Sequence, residues 1–281
     1  MGVRVAYLVT AVAVAACLGA LIGCGGGGTF NSGKRAPWRA STEQACLTSG
    51  AVRASAHIQS MPAIKGPGVC GLEVPLRVSG LSGGKVGLTP PATIGCPLTA
   101  GLDRWIKASV QPAAYRYYGH PVVEIKQIAA YSCRGRNGNN YGHISEHAFG
   151  NALDIAGFRL AGGEEISVYK GWWKGSPRDR AFLQTVMAGA CGEFYTVLGP
   201  GGDRYHYNHI HVDLLQSNAR NGRHYCRPAP RGVPMAEAPA DPAKHRLGEA
   251  PLLRRPASGR GLTEKPQLWL ARNDKAAQDQ V

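Results

Sequence analysis

His209-Ile210-His211-Val212-Asp213-Leu214 alternates polar and apolar side chains, the period of a β-strand with one buried face. His209, His211 and Asp213 then project from one side, and Ile210, Val212 and Leu214 pack on the other. Upstream, Ala152-Leu153-Asp154-Ile155-Ala156 is a short apolar run broken by one carboxylate. A carboxylate in such a strand is costly unless it is paired or bound to a metal. Both segments are strand-like.

The residue types at that site are those of a metal centre. His147 and Asp154 are separated by six residues, and His209-x-His211 follows on the second strand. A catalytic zinc needs three ligands from His and Asp/Glu with a fourth position left for water. A histidine taken alone is more often an ordinary packed or surface residue, and Asp154 alone would serve as a helix cap. The combination is what points to a metal.

Outward from these strands, helical spacing of Leu98, Leu102, Trp105 and Ile106 predicts a core helix over Pro97–Val110, entered from Pro91–Cys96. A second helix is expected over Arg178–Gly189, with Phe182 and Val186 on one face. Strands are expected at Leu76–Val78, Val122–Ile128, Ile166–Val168 and Phe194–Leu198. Gly135–Asn140 and Gly199–Asp203 read as loops. The pattern predicts an α+β fold: a small antiparallel sheet carrying the site, packed with two main helices, stapled by disulfides and disordered at both ends.

The N-terminus, Met1-Gly2-Val3-Arg4 followed by the apolar run Val5–Ile22, has the layout of a signal peptide. Leu21-Ile22-Gly23-Cys24 resembles a lipobox, so residues 1–24 are expected to be a lipoprotein signal with Cys24 lipidated. An uncleaved anchor and ordinary secretion are the alternatives. Each places the chain outside the cytoplasm, on the periplasmic side of the envelope. Residues 25–43, opening with Gly25–Gly28, read as a flexible linker. Residues 44–228 are the domain, and 229–281 are a Pro/Ala/Arg-rich disordered tail whose apolar knot is Leu268-Trp269-Leu270.

Setting aside Cys17 and Cys24 leaves Cys46, Cys70, Cys96, Cys133, Cys191 and Cys226, an even set suited to disulfides in an oxidising compartment. No Cys-x-x-Cys supports a cysteine-ligated zinc. Among the possible connectivities, the expected pairing is Cys46–Cys70, Cys96–Cys133 and Cys191–Cys226. The net charge is +14, compatible with nucleic acid, anionic lipid or an acidic wall polymer. An envelope address argues against nucleic acid, and a basic surface without a dedicated partner is the remaining reading.

Ser145-x-His147-x-x-Gly150-x-Ala152-x-Asp154 with His209-x-His211 resembles the lysostaphin, D-Ala-D-Ala and murein endopeptidase group of zinc metallopeptidases. The fuller Ser145-Glu146-His147-Ala148-Phe149-Gly150-Asn151-Ala152-Leu153-Asp154-Ile155, with Tyr131-Ser132-Cys133-Arg134 before it and Tyr225-Cys226 after it, is similar to the bacterial extensin-like C-terminal domain family over about residues 44–227. The resemblance implies that His147, Asp154 and His211 are zinc ligands and that His209 is a catalytic histidine. It places an acidic base three residues before the last ligand in one branch, and here that residue is Asn208, which cannot accept a proton. The base therefore falls to His209, with His206 or Glu146 in reserve.

Arg134 stands where related enzymes keep a substrate-binding arginine, suited to a carboxylate or oxyanion. Arg136 is a second candidate, and both are otherwise surface residues. Ser145 is either a substrate contact or a turn hydroxyl. Gly150 lets the backbone pass close to the metal or to a neighbouring strand, and Asn151 ties the loop. Asp213 is expected to orient an imidazole, as is Glu146. Trp172-Trp173 either stacks on a sugar or packs in the core.

The expected function is a lipid-anchored, zinc-dependent peptidase acting on the peptide cross-links or stems of peptidoglycan. The alternative is an inactive module that binds peptidoglycan or an envelope partner. A third reading is a plant-extensin-like structural protein, but the Ser-Pro-rich repeats that it would require are absent.

Overall fold

The computed structural model describes residues 35–139, 143–216 and 224–230. The signal segment with Cys24, the first part of the linker, and the tail from residue 231 with Leu268-Trp269-Leu270 lie outside the described residues. No helix among those described is long and apolar enough to cross a membrane.

The fold is a mixed α/β arrangement around a mostly antiparallel sheet. Its strands are β1 (Ile58–Ser60), β4 (Leu76–Leu81), β5 (Val86–Ile94), β6 (Val122–Ala129), β7 (Ala152–Leu160), β8 (Glu165–Ser167), β9 (Thr196–Leu198), β10 (Ile210–Asp213) and β11 (Tyr225–Arg227). They run in the order β1-β4-β5-β6-β7-β10-β9-β11, with β8 also paired to β7. The β5/β6 and β9/β11 pairs are parallel. A separate two-stranded ribbon joins β2 (Ile64–Lys65) to β3 (Gly71–Leu72). The sheet is thus larger than the small one expected. β1, three residues long, is too short to show a period, and the nine-residue β5 falls outside the expected strands; both add to the sheet built around the antiparallel β6/β7 pair.

β7 runs four residues beyond the expected strand, and seven of its nine positions are buried. A strand covered on both faces reads as a continuous apolar run rather than an alternation. β10 is covered on both faces as well, which corrects the expectation of one buried face. Ile210 and Val212 enter the hydrophobic core, while His211 and Asp213 are buried at the site.

Helices α1 (Trp38–Thr48), α2 (Cys96–Trp105), α3 (Gln111–Tyr118), α4 (Val168–Trp173) and α5 (Pro177–Glu193) accompany the sheet. The expected helix at Pro97–Val110 continues through a π-helical segment, Ile106–Val110, into α3. The widened turn accommodates Pro112, whose missing N–H would break an α-helix. Gly119, at φ 74°, ends α3. α5 starts at a capping box in which Ser176 and Asp179 satisfy each other's backbone N–H groups. Val168, expected to end a strand, instead begins α4 after the Ser167 cap.

Trp105 joins the helices to the sheet. Its Nε1 donates to the Val186 carbonyl at 2.9 Å, and its ring lies 6.2 Å from Phe158 of β7 and 6.1 Å from Phe194. Such aromatic contacts add about 0.5–1.5 kcal/mol each beyond area burial.

The disulfides are Cys46–Cys96, Cys70–Cys133 and Cys191–Cys226. Only the last matches the expected pairing. Cys46 on α1 meets the start of α2, and Cys70 in the turn before β3 meets the segment after β6, because the fold brings together elements that sequence proximity does not. Closing loops of 50 and 63 residues restricts the unfolded chain by about 4 kcal/mol each in the chain-entropy account.

Candidate metal centre

The antiparallel pairing of β7 with β10 creates the site. In its antiparallel register His211 lies directly opposite Asp154, so two residues distant in sequence become a cross-strand pair. Ala129 of β6 pairs with Asp154 from the other side. The third member, His147, sits on a short 3-10 turn, Glu146–Phe149, between β6 and β7. Ser145 begins that turn, its hydroxyl accepting from the His147 N–H. The backbone N–H of Ser132 donates to the His147 carbonyl at 3.1 Å. Gly150 closes the turn at φ 58°, and a Cβ there would lie 2.3 Å from Leu72. That glycine permits close approach to β3 rather than to the site itself.

Three ligand atoms converge. His147 Nε2 is 3.1 Å from Asp154 Oδ1 and 3.2 Å from His211 Nδ1. His211 Nδ1 is 2.7 Å from Asp154 Oδ1. The far nitrogen of each ring has an acceptor: His147 Nδ1 lies 2.7 Å from the Ala130 carbonyl, and His211 Nε2 lies 3.1 Å from Asp213 Oδ2. Placing the ring protons there leaves lone pairs on His147 Nε2 and His211 Nδ1, both facing a carboxylate oxygen. Such an assembly requires positive charge at its centre. Ligands bonded at 2.0–2.1 Å in a tetrahedral shell stand about 3.3 Å apart, close to the spacing here. His147, Asp154 and His211 therefore form a buried group that can hold a small divalent metal ion.

The electrostatics express the same demand. Burial opposes charge on Asp154, yet the hydrogen bonds of His147 and His211 hold it well below the usual carboxylate range. Burial likewise opposes charge on His211, but Asp154 and then Asp213 raise it to about 10. Without a metal the site takes a proton on His211 instead.

His209 lies beside the ligands. Its Nε2 is 3.5 Å from Asp154 Oδ1, and its Nδ1 is 2.8 Å from Asn208 Oδ1. With the proton on Nδ1, donated to Asn208, the lone pair of Nε2 faces the centre. Asn208 thus orients an imidazole, a use that its inability to act as a base had hidden. Burial lowers His209 to about 4, more than the Asp154 charge raises it, so its ring is neutral near pH 7.

His206 completes the imidazole group, its ring 5.1 Å from that of His209 and 5.5 Å from that of His211. Its Nδ1 lies 2.8 Å from both oxygens of Asp203. Burial lowers the His206 pKa against the raising effect of Asp203. Asp203 was missed in the sequence, although Asp-x-x-His in a turn is a usable local signal.

Glu146 faces elsewhere. Arg39 binds it in bidentate fashion, at 2.7 and 2.6 Å, and Asn151 Nδ2 donates to it at 2.7 Å. The Arg39 guanidinium also stacks 3.7 Å from the Phe149 ring centroid. With its oxygens so engaged, Glu146 braces the turn carrying His147 and is not available as a base. Arg39 belongs to α1, in a stretch expected to be linker, and no local pattern in the sequence connects it to Glu146.

The centre opens into a cleft of about 620 Å³. Arg134 and Arg136 line it, as do Ser145, Asp203, Tyr205 and Tyr225. Arg134 Nη2 makes a long contact, 3.4 Å, with the outer oxygen of Asp154, and its side chain is partly exposed. A family model described as Extensin-like protein C-terminus matches residues 44–227. No curated protein and no solved structure matches the chain.

Proposed function

The chain belongs to the extensin-like protein C-terminus family, and from that membership and the site's geometry we propose that it is a zinc-dependent peptidase of the bacterial envelope, cutting cross-link or stem-peptide amide bonds of peptidoglycan. The observation that carries this reading is the convergence of His147 Nε2, Asp154 Oδ1 and His211 Nδ1 in a cleft, with a neutral imidazole beside them. His147, Asp154 and His211 would hold the ion, and bound zinc supplies Lewis-acid charge that polarises a carbonyl and acidifies water.

The remaining work belongs to the chain. His209 accepts a proton at Nε2, and its Nδ1–H stays with Asn208, so the ring keeps one orientation as it charges. The same nitrogen then returns the proton to the leaving amine. His206, held by Asp203, is placed to share that transfer. Arg134 and Arg136 supply guanidinium groups for a substrate carboxylate or a developing oxyanion. Asp213 keeps His211 in the ligand tautomer. The lipobox at Cys24 would tether the domain to a membrane and turn it toward the wall.

The test combines metal analysis of the purified protein with digestion of purified sacculi by wild type and His211→Ala, read as muropeptide masses. About one zinc per chain is expected, with new muropeptides from wild type alone. Zinc-free protein, or profiles indifferent to the substitution, would overturn the peptidase reading. Sacculus binding with zinc present and no cleavage would instead support the inactive binding module.

A further inference from the structure

The adjacent tryptophans divide between two environments. Trp172 packs against the hydrophobic core, whereas Trp173 is 48% exposed. Trp173 and Tyr169 are four residues apart on α4 and so share one helix face. Tyr169 is itself 44% exposed and Tyr207 is 49% exposed. The rings of Tyr169 and Tyr207 meet edge to face at 5.8 Å, and Trp173 Nε1 donates to the Tyr207 carbonyl at 2.9 Å. Three large rings are therefore gathered at one place on the surface.

Two features separate this group from incidental surface aromatics. First, it is pre-organised: the indole N–H is already satisfied, which orients the ring and leaves no polar demand on its exposed side. The helix beneath is tightly seated, since a Cβ at Gly171 would approach Leu183 to 2.8 Å. Second, the group is continuous with the candidate centre, because Tyr207 lies between His206 and His209. A ligand on these rings lies beside the loop that carries both histidines.

We propose that Tyr169, Trp173 and Tyr207 form a saccharide-binding subsite that holds a glycan strand while the attached stem peptide lies in the metal cleft. This rests on the peptidoglycan reading above. A pyranose ring presents an apolar C–H face and a polar edge, so it stacks on fixed aromatic faces and hydrogen-bonds at its rim. Tyr169 and Tyr207 supply hydroxyls for that rim. Ordering cost is low because the rings are held before the ligand arrives.

The experiment titrates the protein with a neutral β-1,4-linked N-acetylglucosamine tetramer, following tryptophan fluorescence and heat. Saturable binding is expected, weakened about tenfold in Trp173→Ala and in Tyr169→Ala, the worth of one stacked ring. Trp173→Phe, which keeps a face and loses the N–H, should fall between. Retained metal binding shows that a variant is folded, and should Trp173→Ala fail that check, Tyr169→Ala decides. Cleavage of a soluble, glycan-free stem peptide should be unchanged in Tyr169→Ala, whose side chain makes no hydrogen bond to the histidine loop among those described.

Neutral stacking predicts little change in tetramer affinity between low and moderate salt, whereas single-stranded nucleic acid that binds wild type more tightly than the tetramer, with a steep salt dependence and the same loss in Trp173→Ala, would mark an anionic partner and overturn the proposal. No binding to the tetramer, or equal binding by wild type and variants, would also overturn it. Tetramer binding that depends on Trp173 in a protein that cleaves nothing would leave the subsite standing and remove only the peptidase reading.

Discussion

Replacing Arg39 by alanine should unsettle the centre although the partner of its guanidinium is Glu146 rather than His147, Asp154 or His211. The guanidinium and the Glu146 carboxylate are almost wholly buried, at 9% and 3% side-chain exposure. Removing one partner from such a pair costs about 3–5 kcal/mol, because the other charge is left in a poorly solvating interior. Asn151 still donates to Glu146, and Arg39 Nε is itself buried without a partner. Both facts place the loss toward the lower end, at about 3 kcal/mol. For a domain of this size that is a fall in Tm of about 6–12 °C. Denaturant unfolding with the disulfides intact measures it directly. Zinc affinity should fall by about 10–100-fold as the turn bearing His147 loosens, the effect usual for a support behind a ligand. The double variant Arg39→Met with Glu146→Gln removes both charges and keeps an acceptor for Asn151, so it should recover at least half the loss. A single variant within about 1 kcal/mol of wild type, the worth of an exposed pair, or a double variant no better than the single, would refute the reasoning.

Metal-free protein should show a pH dependence set by Asp154 and His211. The raised His211 contributes stability that is complete below the unfolded imidazole value of about 6.5 and is lost as pH rises toward about 10. The depressed Asp154 contributes stability present above about 3.9 and lost as pH falls through its lowered value. Thermal unfolding in chelator from pH 5 to 10 should therefore decline on the alkaline side, and Asp154→Asn should flatten that decline; an unchanged slope would contradict the assignment. Asn208→Ala should leave bound zinc unaltered while lowering peptide hydrolysis about tenfold or more, since the His209 ring loses its fixed orientation, and hydrolysis equal to wild type would show that Asn208 does not position the base.

Much of the centre was legible in the chain itself. Alternation in His209–Leu214 marks a strand, and a lone carboxylate in Ala152–Ala156 marks a residue that must be compensated. Both follow from local periodicity and from the cost of burying charge, which need no knowledge of the fold. The helix over Arg178–Gly189 was visible for the same reason, and its start needed only the Ser176 cap. What tertiary structure alone decided are the partnerships. Cys46 meets Cys96, and Cys70 meets Cys133, because α1 docks at the start of α2 and the ribbon docks beside the segment that follows β6. Arg39 reaches across more than a hundred residues to Glu146 and removes it from the list of bases. Asn208, read as a missing base, becomes a support for His209, and Asp203 does the same for His206. Residue type and spacing declare what a side chain can do; which neighbour it does it with depends on long-range packing, where many pairings are open to the same sequence until the core selects one.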